Sequence, residues 1–109
     1  MMRRENYYFR ITDVSEEIAN SICNALPGIE FELNNYENSK NYVMLLKIEE
    51  GRDYSALFAA MNTRKNIRKG VYISLVTESD SDGVTVPEFV VSFFKNIDCA
   101  TMDFSFTCV

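Results

Sequence analysis

The segment NYYFRITDVSEEIANSICNALPG, at residues 6–28, contains both of the periodicities from which the fold can be predicted. In its first part, aromatic and β-branched side chains alternate with polar ones, which is typical of a strand with one buried face. Apolar side chains then recur at helical spacing until Pro27 and Gly28 end the pattern. The segment therefore predicts a strand followed directly by a helix, with Asp13 and Glu16 as a capping box.

The same two periods assign the rest of the chain. Alternating or continuous apolar runs predict further strands at residues 28–35, 42–48, 71–77 and 101–109, and helical spacing predicts helices at residues 53–70 and 85–97. The resulting order, β-α-β-β-α-β-α-β, indicates an α+β fold in a single domain of residues 1–109. Its first six elements match a ferredoxin-like βαββαβ antiparallel sheet, to which the last helix and strand are added at one edge.

Signals for the ends of the later helices are also present. Thr85 and Glu88 fit a capping box at the start of the last helix. At the end of the second helix, Gly70 is expected to adopt the left-handed stop conformation. The cations before this glycine favour the negative end of the helix dipole, and they are Arg64, Lys65, Arg68 and Lys69.

The charge distribution separates two classes of partner. The chain has 16 acidic and 11 basic residues, and its formal net charge is −5. A general nucleic-acid binder has a strongly basic face instead. Tyr8, Tyr42 and Tyr72 could lie on an open face of the sheet, as in RNA-binding domains, but no glycine-aromatic motif of that class accompanies them. The composition therefore favours either a basic protein partner or an ordinary solvated acidic surface over direct nucleic-acid binding.

The residues needed for catalysis or for cofactors are sparse. The chain has no histidine, which removes Ser-His and Cys-His pairs and the commonest general base. Cys23, Cys99 and Cys108 show no C-x-x-C spacing, so neither a disulfide framework nor a zinc site is expected. We predict a protein that is not an enzyme and has no cofactor. No apolar segment resembles a signal peptide or a membrane span, which predicts a cytoplasmic location.

The segment ESDSDGVTVPEF, at residues 78–89, resembles a calcium loop only in part. Glu78, Asp80 and Asp82 occupy its first, third and fifth positions, where oxygen ligands are needed. The twelfth position, which requires a bidentate glutamate, is Phe89, so no metal site is expected. The three carboxylates exceed what a turn needs, and because they repel one another their excess leaves room for a recognition role.

A small acidic α/β chain without histidine, opening on NYYFRIT and closing on ESDSDGVTVPEFVVSFFKNIDCATMDFSFTCV, resembles bacterial immunity proteins of contact-dependent growth inhibition systems. The resemblance implies a protein that covers the active site of a cognate toxin, often a basic nuclease, with acidic and aromatic residues. The residues expected to bind the toxin are Glu78, Asp80, Asp82, Tyr36 and Glu37. A small ferredoxin-like regulatory or ligand-binding module is the alternative.

Overall fold

A computed structural model describes residues 3–78, 85–98 and 100–108 of the chain. Five strands and three helices follow one another as β1 (Arg3–Val14), α1 (Glu16–Ala25), β2 (Glu32–Asn35), β3 (Tyr42–Lys47), α2 (Ser55–Asn62), β4 (Arg68–Thr77), α3 (Glu88–Lys95) and β5 (Thr101–Cys108). The predicted order of elements and the α+β class are confirmed. No helix in these ranges has both the length and the apolar character needed to cross a bilayer.

The strands form one open sheet in the order β2-β3-β1-β4-β5. β1 pairs antiparallel with both β3 and β4, and β2 pairs antiparallel with β3. β5 extends one edge, but it runs parallel to β4, so the sheet is mixed and not wholly antiparallel. The parallel direction follows from the connection, because a helix that crosses back over the sheet returns the chain to the end where β4 began.

All three helices contribute to a single core against one face of the sheet. Strands β1, β3 and β4 contribute every second residue to this core, and each helix contributes the apolar residues of one face. The most completely buried core residues are Phe9, Ile11, Met44, Val71 and Ile73 from strands and Ile22, Leu57, Met61 and Val90 from helices. Phe93 of α3 lies at its centre, with its ring 5.1 Å from both Tyr54 and Phe58 and 5.7 Å from Phe9. The opposite face, which includes Tyr8 and Tyr72, carries none of the three described helices, and we call it the uncovered face.

The second helix is shorter than its sequence pattern predicts. It ends at Asn62, whose side-chain amide donates to the carbonyl of Asn96 and accepts from the N–H of Asp98. Arg68 and Lys69, predicted to lie in the helix, are the first residues of β4. β4 pairs with β1 over ten residue pairs, which provides hydrogen-bond partners for the backbone N–H and C=O groups of both strands. This pairing is more favourable than continuing α2 as an exposed basic helix.

The predicted caps are also corrected. Asp13 has a left-handed backbone (φ 62°), and Ser15 caps α1 by accepting a hydrogen bond from the N–H of Ile18 at 3.3 Å. At α3 the cap residue is Pro87 and no side chain caps the helix, so the predicted box of Thr85 and Glu88 does not form. The ring of Pro87 fixes its φ angle near −60°, and the first turn of α3 starts there without a side-chain hydrogen-bond acceptor.

Candidate functional site

Several acidic residues lie at the end of the sheet where β3 and β4 finish. Both strands run antiparallel to β1 and therefore end on the same side. We call this region the acidic end. Its described acidic residues are Glu5, Glu30, Glu49, Glu50, Asp53, Glu78 and Glu88, and its described basic residues are Arg3, Arg4, Lys47 and Arg52. A hydrogen bond joins two connections at this end: the Arg52 guanidinium, between β3 and α2, donates to the carbonyl of Gly28, between α1 and β2, at 3.3 Å.

The opposite end of the sheet is electrically mixed. It contains the start of α1, the ends of α2 and α3, and the connection between β2 and β3. Its acidic residues are Asp13, Glu16, Glu17, Glu37 and Asp98, and its basic residues are Lys40, Arg64, Lys65, Arg68, Lys69 and Lys95. The net charge of −5 is therefore unevenly distributed, with the acidic excess at one end.

The predicted partner-binding residues do not form one group. Glu78 is exposed directly after β4, at the acidic end. Tyr36 is half-buried and Glu37 is exposed in the turn after β2, at the opposite end, where Glu37 has a left-handed backbone (φ 49°). The twelve residues of β1 span roughly 40 Å between these ends. Asp80 and Asp82 lie outside the described residues, and the binding role of all five stays a prediction.

A cleft of about 260 Å³ opens at the acidic end between α3 and the connection from β3 to α2. Tyr54 forms part of its wall, and its phenolic oxygen accepts from the N–H of Glu49 at 2.8 Å and donates to the carbonyl of Lys47 at 3.3 Å. Phe89 lines the facing wall and packs edge-on against Tyr7, with ring centroids 5.8 Å apart. The cleft thus combines aromatic walls with an acidic rim.

Arg52 occupies this cleft together with an acidic and an aromatic neighbour. Its guanidinium lies 3.7 Å from the carboxylate of Glu49 and 5.9 Å from the ring centroid of Tyr54. Carboxylate pairing combined with an aromatic face is a favourable environment for arginine. The site can therefore hold a guanidinium, which the sequence analysis did not predict. The sequence feature that indicates such a site is the pair Glu49-Glu50 just after β3, followed four residues later by Tyr54.

Asp53 remains charged well below neutral pH. Its carboxylate accepts hydrogen bonds from the hydroxyl and the N–H of Ser55, and these bonds lower the pKa of Asp53 below its ordinary value. Because the charged form is favoured, the contribution to stability is present at neutral pH and is lost as the pH falls through the lowered pKa. Within the described ranges, no group of three potential ligands is placed to hold a metal ion.

The uncovered face of the sheet carries two of the three tyrosines predicted there. The rings of Tyr8 and Tyr72 lie 6.3 Å apart, and the guanidinium of Arg10 lies 5.0 Å from the Tyr72 centroid. Arg10 is also held by Asp103 at 2.7 Å. Tyr42 is on the other face, packed against the core, because the alternation of β3 places it on the same side as Met44.

Comparison with known proteins identifies no relative. No family model, no curated protein and no solved structure matches this chain.

Proposed function

We propose that the protein is an immunity protein of the contact-dependent growth inhibition type, which acts in the cytoplasm and has no catalytic activity of its own. It binds a cognate basic nuclease toxin and covers the active site. The observation that carries this proposal is the uneven charge of the molecule, whose described acidic end has seven acidic residues against four basic ones. A cationic partner gains from this field during encounter and in the complex.

We interpret the first six elements as ferredoxin-like. The antiparallel order β4-β1-β3-β2 supports this interpretation, since two helical crossovers each skip one strand of the sheet. β5 and α3 stand outside that arrangement. In this interpretation the described acidic end includes the connection that follows β3, a kind of segment that tolerates changes in length and charge without disturbing the core.

Binding at the acidic end uses the cleft as its anchor. An arginine of the toxin that displaces the exposed side chain of Arg52 would lie beside Tyr54 and Glu49. Carboxylates of the rim, including Glu50 and Glu78, pair with further toxin cations that otherwise contact nucleic-acid phosphates. The toxin is then inhibited because its substrate channel is covered and its charge is neutralised.

Charge reversal at the two ends tests which surface binds. The variant Glu50→Lys/Glu78→Lys should slow association with the toxin by roughly tenfold or more at low salt, since steering contributes about 10–10³ to association rates. The matched control Glu37→Lys/Asp98→Lys makes the same charge change at the opposite end, on residues that are equally exposed. Stopped-flow or surface-plasmon measurements give the rates. Equal slowing in both variants would contradict binding at the acidic end.

Identification of the toxin is the decisive experiment for the function itself. We expect the product of the adjacent upstream reading frame to arrest growth when it is expressed alone. Co-expression with this chain should restore growth, and the two proteins should purify together. Growth that stays arrested, with no complex in pull-down, would refute the immunity function regardless of how the charge variants behave.

One observation favours the alternative of a ligand-binding module. A shallow depression of about 440 Å³ on the uncovered sheet face is lined by Tyr8, Tyr72, Leu45 and Arg10. Because Asp103 already pairs with Arg10 and Glu32 also lines the depression, the surface suits a small ligand with an apolar part and polar groups. Titration with such compounds, followed by NMR shifts of β1 and β4, separates this alternative from a protein partner.

A further inference from the structure

The strand β5 forms one edge of the sheet without the features that usually protect an edge. It pairs with β4 on one side, and among the described residues no strand covers its other side. Residues 101–107 contain no proline and no lysine, and their single charge, Asp103, is held by Arg10 at 2.7 Å. An edge of this kind is a template for pairing with another strand.

The side chains of β5 on the helical face are exposed although they are aromatic. Phe104 and Phe106 are 56% and 46% exposed, which makes them the most exposed large apolar side chains in the described part of the chain. Their partners in β4, Ile73 and Leu75, are buried. The helical layer therefore stops short of β5 and leaves both rings uncovered.

The other edge of the sheet is shorter and has no aromatic residue, although it too lacks proline and lysine and exposes one large apolar side chain, Leu33, at 44%. β2 has only four residues, all exposed, and it presents Glu32, Asn34 and Asn35. A short polar strand with a charge is a common protection against pairing. The contrast indicates that exposed aromatic surface on a long strand is specific to the edge at β5.

We propose that β5 pairs antiparallel with β5 of a second copy of this chain, with Ser105 opposite Ser105 at the two-fold axis. This dimer is independent of the proposed toxin binding, because β5 lies outside the acidic end as defined above. In this register Phe104 of each copy lies opposite Phe106 of the other, on the helical face. The two five-stranded sheets then form a continuous sheet of ten strands.

Charge and shape favour a second copy as the occupant. Asp103 lies opposite Thr107 in this register, so no like charges meet. A register centred on Asp103 would place two carboxylates opposite each other and is disfavoured for that reason. The helical layers of the two copies stand on the same side, and the four phenylalanine rings fill the space above the paired β5 strands. Directly opposed aromatic side chains are a favourable cross-strand pairing.

The size of the contact predicts a weak dimer. The exposed parts of Phe104 and Phe106 amount to on the order of 200 Å² in each copy, given the area of a phenylalanine side chain. The backbone ladder adds further area, but the total remains at the small end of protein interfaces, for which about 1,600 Å² is standard. We therefore expect dissociation in the micromolar range.

Two double variants test both the dimer and its register. Phe104→Lys/Phe106→Glu places opposite charges across the axis, whereas Phe104→Glu/Phe106→Glu places like charges there, with the same loss of apolar surface. Sedimentation over roughly 1–200 μM should show dimers of the natural chain and about tenfold tighter dimers of the first variant than of the second. A natural chain that stays monomeric throughout, or two variants that dimerise equally, would overturn the proposal.

Cross-linking tests the same axis without removing the aromatic rings. In a background with Cys23, Cys99 and Cys108 replaced by alanine, Ser105→Cys should form an intermolecular disulfide on mild oxidation, since opposed strand residues meet disulfide distances. The control Ser74→Cys changes the residue paired with Ser105 in β4, one strand further from the axis. Equal cross-linking of the two variants, or none at position 105, would refute the dimer.

Discussion

Gly70 occupies a position where no side chain fits. A β-carbon built on it would lie 2.5 Å from the carbonyl oxygen and 2.7 Å from the hydroxyl of Thr101, the first residue of β5. The predicted role of Gly70 as a left-handed helix stop is wrong, since the residue lies inside β4. Its importance comes from the close approach of two neighbouring strands, a recognised reason for glycine within a sheet.

Substitution of Gly70 should loosen the attachment of β5. We expect Gly70→Ala to lower the free energy of unfolding by roughly 1–3 kcal/mol, since the methyl group meets backbone of the neighbouring strand. Gly28→Ala is the matched control, because nothing lies within 4 Å of the added atom, and it should be neutral or stabilising by up to about 1 kcal/mol. Urea unfolding measures both, and equal values would contradict the close contact at β5.

At the scale of elements, the helices begin in two different ways. α1 is preceded by Ser15, whose hydroxyl oxygen accepts the N–H of Ile18. α3 is preceded by Pro87, which has an extended backbone (φ −60°, ψ 150°) and offers no side-chain acceptor. Among the described residues, no side chain caps α3, and the negative charge of Glu88 in the first turn favours the positive end of the helix dipole.

This difference predicts unequal effects of two similar substitutions. Ser15→Ala should cost about 1 kcal/mol in the free energy of unfolding, because a capping hydrogen bond is lost. Thr85→Ala should change it by less than about 0.5 kcal/mol, since Thr85 is exposed and α3 has no side-chain cap. Thermal or urea unfolding compares them. A larger loss for Thr85→Ala would restore the capping box that the sequence suggests.

At the scale of the whole molecule, the longest strand pairing and much of the core belong to the central strands of the sheet. β1 and β4 pair over ten positions, whereas β2 and β3 pair over four. The core residues Phe9 and Ile73 belong to the central pair, and β2 has no buried residue. Both candidate binding surfaces, the acidic end and the edge at β5, lie at the periphery of this pair.

Amide hydrogen exchange should follow that arrangement. We expect the slowest exchange in β1 and β4, which open only with global unfolding, and exchange in β2 that is faster by at least about tenfold. Mass spectrometry or NMR gives the order. Protection of β2 equal to that of β1 would mean that the sheet unfolds as one unit from both edges. The amides of β5 should gain protection at high concentration if the dimer forms.

The sequence is sufficient for the kinds of element and for their order. NYYFRIT at residues 6–12 alternates because one face of β1 is buried, and that pattern needs no knowledge of the partner strand. The acidic excess is likewise a property of composition. The bounds of α2 could not be predicted in the same way. The residues after Asn62 continue a helical pattern, but β4 forms there instead because it pairs with β1.

Only the tertiary structure decides which residues meet. Tyr36 and Glu37 lie at the opposite end from Glu78, and nothing in the local sequence indicates this separation. Arg52 enters a cleft with Tyr54, a contact that the neighbouring residues do not specify. The physical reason is the distance along the chain between the interacting residues. Periodicity and caps depend on residues within a few positions of one another, and the total charge depends on composition alone. Strand order, the direction of β5 and the grouping of connections depend on hydrogen bonds and packing between segments far apart in the chain.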